Sequence, residues 1–252
     1  FWNYWSNTGG ISGKTVGELS DEYANLFTPA GYAFAIWGII FLGLLVLAIS
    51  QLAWVFHDGG HSESILQIGP WLSGANVGNG LWIWLWLNEQ TGLSVITMLL
   101  ILLCLVQVIR RLNMENWNAP IRVIVTVWWP ICAYSGWIAV ATIANISAWL
   151  AKIGWAAVLS EVQWTLVMIS AAGILNLFMV HFRNMREFGL VGVWALVAIA
   201  VRHWNEIPAL QWTAIIWALI LLLYIGVHGM RNRHSNPIFH WANGSRAETE
   251  RQ

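Results

Sequence analysis

Charged side chains are scarce in this sequence: Asp, Glu, Lys and Arg make up 10% of its 252 residues, against about a quarter in a soluble domain. Water is therefore not the main solvent of the folded chain. The formal net charge of +0 also leaves no electrostatic footprint for nucleic acid. Lysine occurs only as Lys14 and Lys152, both outside the long apolar runs, which excludes a retinal Schiff base buried mid-helix. Cysteine occurs only as Cys104 and Cys132, both inside apolar runs, so neither a disulfide framework nor a four-thiolate zinc site is available. A nucleophile–base motif, a phosphate-binding loop and a dinucleotide fingerprint are all missing, and no catalytic residue is assigned. His57 and His61 stand four apart in HDGGH, but the Gly-Gly between them argues against a helix and no further ligand accompanies them. No metal site is assigned.

What the chain has in abundance is apolar sequence, 58% by residue, and tryptophan, with 20 residues. Taking about 20 apolar residues for one bilayer crossing, the runs at 30–56, 69–88, 93–110, 121–150, 155–180, 188–204 and 209–230 are seven candidate spans. The expected fold is thus all-α, a polytopic membrane helix bundle whose first partner is the lipid bilayer. The opening FWNYWSN reads as the tail of an apolar segment, which leaves room for a further span upstream of residue 1. Arg110, Arg111, Arg122, Arg183, Arg186, Arg231, Arg233, Arg246 and Arg251 fall on one side of these spans, and only Lys14, Lys152 and Arg202 on the other. By the positive-inside rule the first set is cytoplasmic. The chain then reads as a multi-pass protein of a bacterial inner membrane, its segment 1–29 outside and its polar C-terminal tail, expected to be disordered, inside.

Two of the runs carry amides among indoles. In 129–150, Trp137, Ala141, Asn145 and Trp149 drift by about 40° per step along a helix and share one arc, with Thr142 beside them. In 72–88, Asn76, Asn79, Trp82 and Trp86 fall within an arc of about 120°. An asparagine deep in a membrane needs a hydrogen-bonding partner. Either Ala141 and Thr142 let another helix approach and Asn145 bonds across that contact, or the two faces meet as an aromatic-walled pocket for a large planar hydrophobic molecule. Gly74 and Gly78 form a GxxxG pair, which indicates close helix packing. A third stretch, 26–41, breaks at Pro29 and Gly31 before a helix that opens with Tyr32, Phe34 and Trp37. Those aromatics are either an interfacial belt or the lid or rim of a pocket.

In that order, the three stretches resemble the TspO family, the tryptophan-rich sensory or translocator proteins. The matching positions are Pro29, Gly31, Tyr32, Phe34 and Trp37; then Asn79 and Trp82; then the Trp-x3-Ala-Thr-x2-Asn-x3-Trp pattern at Trp137, Ala141, Thr142, Asn145 and Trp149. The resemblance covers about residues 26–150 and implies that family's second to fifth helices, the first being expected upstream of Phe1. It divides the chain into a TspO-like transmembrane region (1–150), additional transmembrane helices (151–230) and a cytoplasmic tail (231–252). It implies a binding or sensory protein for a porphyrin or other tetrapyrrole, able to form a homodimer, with Tyr32, Phe34, Trp37, Asn79, Trp82, Trp137, Ala141 and Asn145 as the ligand-binding residues.

Other readings of the residues stay open. Glu161, Arg202, His203 and Glu206 lie near the outer ends of predicted helices, as either an ion-paired interfacial cluster or the coupling site of a secondary transporter. A structural or pigment-holding subunit of a larger membrane complex is the remaining alternative.

Overall fold

The computed structural model describes residues 13–23, 25–57, 62–115, 119–155 and 159–231, with the backbone alone at 57 and 62–66. The FWNYWSN opening, His61 of the HDGGH loop and the tail after Arg231 lie outside the described residues.

The described chain is helical and contains no strand. In order come α1 (Val16–Glu22), a 3₁₀ turn (Gly31–Ala35), α2 (Ile36–His57), α3 (Ser62–Leu87), α4 (Thr91–Arg111), α5 (Ile121–Lys152), α6 (Glu161–Arg183), α7 (Arg186–Arg202) and α8 (Pro208–Arg231). Local chemistry sets several of these boundaries. At α1, the Glu18 amide donates to Thr15 Oγ1 (3.2 Å) while the Thr15 amide donates to Glu18 Oε2 (2.7 Å), a reciprocal capping box. Ser160 and Gln163 repeat the device at α6. Asn184 ends that helix at φ 56°, the left-handed conformation that suits asparagine.

Among the described residues, five helical stretches are long and apolar enough to cross a membrane: Gly31–Phe56, Thr91–Arg111, Ile121–Lys152, Glu161–Arg183 and Pro208–Arg231. The expected count of seven is supported only to that extent. The two remaining long helices differ for separate reasons. α3 dilutes its apolar residues with Gln67, Ser73, Asn76 and Asn79 and with four glycines. α7 has 17 residues, a rise of about 26 Å against a hydrocarbon core of about 30 Å. Both nonetheless pack inside the bundle, α3 along α4 and α7 along α8 and α5.

α5 is the central helix, buried at every position from 134 to 140. Its passage around Pro130 is a widened π segment, Ile124–Trp128. Proline lacks the N–H that would bond four residues back and its ring presses on that carbonyl, so a local widening relieves the clash. Glycines permit the closest helix approaches. A Cβ on Gly78 would stand 2.8 Å from Ile101 Cγ1 on α4, and one on Gly136 would stand 3.1 Å from the Phe188 carbonyl on α7. The GxxxG pair of α3 therefore serves helix packing.

Successive long helices run in alternating directions, and contacts sort their ends. Arg111 Nη1 donates to Gln67 O (3.4 Å), Arg183 Nη2 donates to Met114 O (3.2 Å), and Arg111 and Arg122 lie over the rings of Trp71 and Trp54. These bring the arginine-rich turns together at one end. At the other end, Lys152 Nζ donates to Glu89 O (2.5 Å), and Tyr23 OH donates to Glu89 Oε2 (3.2 Å). Burial, and then the Glu89 charge, push the Tyr23 hydroxyl up to about 12.

Candidate functional site

Five elements converge on a small internal cavity. α5 contributes Trp137, Ala141, Ala144 and Asn145, α3 contributes Trp82 and Trp86, α2 contributes Trp37, the entry turn contributes Phe34 with Pro29 just ahead of it, and α1 contributes Val16 and Ser20. The free space is ≈ 30 Å³, room for on the order of one or two waters. Aromatic rings fill the rest. Trp37 stacks on Trp82 (6.2 Å, 28° between planes), and Trp82 stacks on Trp86 (6.4 Å, 24°). Trp137 stands at right angles to this wall, 6.5 Å and 84° from Trp37, with Phe34 edge-on to it at 5.9 Å.

The polar groups of the site are few and buried. Asn145 Oδ1 accepts from Trp82 Nε1 (3.0 Å) and from Ser94 Oγ (2.9 Å), and its Nδ2 donates to Ala141 O (3.0 Å). One amide thus ties α3, α4 and α5 together. Trp86 Nε1 donates to Val16 O (3.3 Å). Trp137 Nε1 is also buried and meets no acceptor among the described residues. An indole N–H can only donate, so this buried group calls for an acceptor.

Of the expected ligand-binding residues, Phe34, Trp37, Trp82, Trp137, Ala141 and Asn145 meet around this cavity. Asn79 is buried on α3 but outside the lining; at 100° per residue it sits about 60° around the helix from Trp82. Tyr32 is 44% exposed and packs edge-on against Trp194 at 5.3 Å. In a 3₁₀ turn of about 120° per residue, it points well away from Phe34, as an interfacial aromatic does. Asn145 bonds across a helix contact, as the helix-packing reading expects, and it also lines the cavity.

Residues 13–23 and 25–35 close the cavity from one side; a lid is one of the readings offered for 26–41, but α1, which supplies part of the wall, was not expected. The Thr-x-x-Glu pattern at 15–18 carries the signal for that helix. Its cover is fastened by dispersed polar contacts. Asn25 Nδ2 donates to Ala144 O (3.2 Å), Ser147 Oγ donates to Asn25 Oδ1 (2.8 Å), and the Ala30 amide donates to Ala198 O (3.1 Å). Trp194 Nε1 donates to Ala33 O (3.1 Å), His203 Nε2 donates to Leu26 O (2.7 Å), and Arg202 pairs with Asp21. Arg202 and His203 thus hold the cover in place. Glu161 lines a separate cavity with Trp155 and Trp164, which Arg202, His203 and Glu206 do not line.

In comparisons with known proteins, a family model described as TSPO-like protein matches residues 1–227. That match runs past the motif-bearing stretch and through most of α8. No curated protein and no solved structure matches the chain.

Proposed function

The chain belongs to the TSPO-like protein family, and from that premise we propose that this multi-pass membrane protein binds or senses a planar hydrophobic ligand, a tetrapyrrole by preference, in the cavity beneath residues 13–23 and 25–35. The observation that carries the reading is the buried Trp137 N–H, which meets no acceptor among the described residues, on a residue that stands beside the stacked indoles of Trp37, Trp82 and Trp86. Flat aromatic walls recognise a flat aromatic ligand by offset stacking, and a single orphan donor fixes its orientation. At ≈ 30 Å³ the cavity is too small for such a ligand, so entry requires the cover to lift and Trp37 to swing from its place on Trp82. Dispersed surface contacts are the cheapest of the site's bonds to break. In this reading the arginine-rich end, with the C-terminus, faces the cytoplasm of a bacterial membrane.

Titration of the purified protein with protoporphyrin, followed by quenching of tryptophan fluorescence, tests the proposal. Trp137→Ala is expected to weaken binding at least roughly tenfold, because stacking beyond simple area burial contributes about 0.5–1.5 kcal/mol and the lost ring leaves a cavity. Trp212, 57% exposed on α8, provides the control, and Trp212→Ala should leave the affinity unchanged. No saturable binding by the wild type, or equal losses in the two variants, would remove the cavity from consideration.

A further inference from the structure

On the opposite flank of the bundle, α6 and α8 leave a groove of ≈ 700 Å³ between them. Its walls are apolar, with Ile174, Leu177 and Phe178 on α6 and Ile220, Leu223 and Val227 on α8. Both helices are membrane spans by length and composition. Phe178 and Leu223 are more than half exposed, so the groove opens on the lipid-facing surface. From Ile174 to Phe182 it runs along about 12 Å of helix, most of the roughly 15 Å that one leaflet occupies in a 30 Å hydrocarbon core.

One end of this groove is different. His181 Nδ1 lies 2.5 Å from Tyr224 OH, and His228 packs beside Tyr224 with ring centroids 5.9 Å apart. Beyond them the last turn of α6 carries Arg183 and the last turn of α8 carries Arg231. Arg186 reaches over from α7, its Nη1 within 3.3 Å of where a Cβ on Gly229 would stand. Two carboxylates, Glu115 and Glu187, share this end. Asn184 Nδ2 donates to Glu115 Oε2 (3.0 Å), and burial, then the Glu187 charge, push the Glu115 carboxyl up to about 7, so near neutral pH it carries about half its charge and the three arginines outnumber the two carboxylates.

We propose that this groove binds one anionic phospholipid, its acyl chain lying between α6 and α8 and its phosphate held by Tyr224, His181 and Arg186. With its proton on Nδ1, His181 donates to the Tyr224 oxygen and leaves the phenolic proton free for a phosphate oxygen. A guanidinium completes the set as the charged donor that phosphate recognition favours. The occupant must be apolar along its length and negative at one end. A second copy meets the first condition and fails the second, because a symmetric contact about an axis along the membrane normal would bring Arg183, Arg186 and Arg231 against their own images. An anionic lipid satisfies both, and the bilayer supplies it from the side on which the groove opens.

The test is native mass spectrometry of the full chain in detergent, titrated with phosphatidylglycerol, with phosphatidylcholine of the same acyl chains, and with inorganic phosphate. Retention of one phosphatidylglycerol is expected, at least about tenfold more tightly than phosphatidylcholine. Leu223→Trp fills the groove at an exposed position and is expected to abolish that retention, and Tyr224→Phe to weaken it several-fold. Circular dichroism and melting temperature identify any variant that has misfolded. Equal retention of the two lipids overturns the headgroup assignment, and retention untouched by Leu223→Trp places the lipid elsewhere. Competition by millimolar phosphate would make this a site for free anions. A dimer that Leu223→Trp dissociates would make the groove a contact between copies. Any of these outcomes sinks the proposal.

Discussion

Asn145 shows how one side chain serves both architecture and site. Its carbonyl oxygen accepts from two buried donors on two other helices, Trp82 on α3 and Ser94 on α4. Its place on an arc with Trp137 and Ala141 was readable from spacing alone, because both follow from 3.6 residues per turn. Ser94 was not readable, since nothing along one helix names the residue that a neighbouring helix will bring to it. Exchange of Asn145 for Leu preserves bulk but strands the Trp82 indole N–H in an apolar interior, at about 1–3 kcal/mol for an unsatisfied group, while the Ser94 hydroxyl keeps the Thr91 carbonyl as acceptor (2.8 Å). Asn145→Leu should therefore lower the melting temperature of the ligand-free protein in detergent, before any question of ligand arises. An unchanged melting temperature would mean that the three-helix tie contributes nothing.

Helices were legible as elements because long apolar runs leave few alternatives in a membrane, but their ends depended on local chemistry. The run expected to start at 155 begins at Glu161, where Ser160 and Gln163 cap it. The run expected to start at 69 reaches back to Ser62 and carries Pro70 inside the helix. Which faces meet was less legible. Gly173 of α6 lies under the Trp217 indole of α8, so close that a Cβ there would stand 2.4 Å from the ring. Trp217 Nε1 donates to Ser170 Oγ (3.3 Å), which fixes the ring over that glycine. A rigid aromatic anchored in this way has nowhere to go, and overpacking of this kind typically costs about 1–3 kcal/mol. Gly173→Ala should lower the melting temperature accordingly, and the double variant with Trp217→Leu should recover part of the loss. If the double variant is no better than Gly173→Ala alone, the close approach of α6 and α8 is not what the glycine provides.

At the scale of the whole molecule, the uneven distribution of arginine was the most informative feature of the sequence, and the contacts gather Arg111, Arg122, Arg183 and Arg186 at one end of the bundle. How the cover at the other end is fastened was not legible, because its contacts join residues far apart in sequence, such as Asp21 and Arg202. That pair is partly exposed, with side-chain exposures of 24% for Arg202 and 52% for Asp21, and a pair of this kind contributes about 0–1 kcal/mol. If the cover must lift before a ligand enters, weakening the pair raises the population of the open form, and association speeds up by the same factor, up to about fivefold. Arg202→Gln should therefore accelerate porphyrin association in stopped-flow quenching. Raised salt should accelerate the wild type and leave the variant nearly unaffected, since screening removes the same interaction. The Lys14–Glu22 pair, 2.6 Å long, lies wholly within the cover, and Lys14→Gln should leave the rate alone because opening does not stretch that bond. Equal rates in the wild type and Arg202→Gln at low salt would mean that the ligand reaches the indoles by another path, between helices from the lipid side.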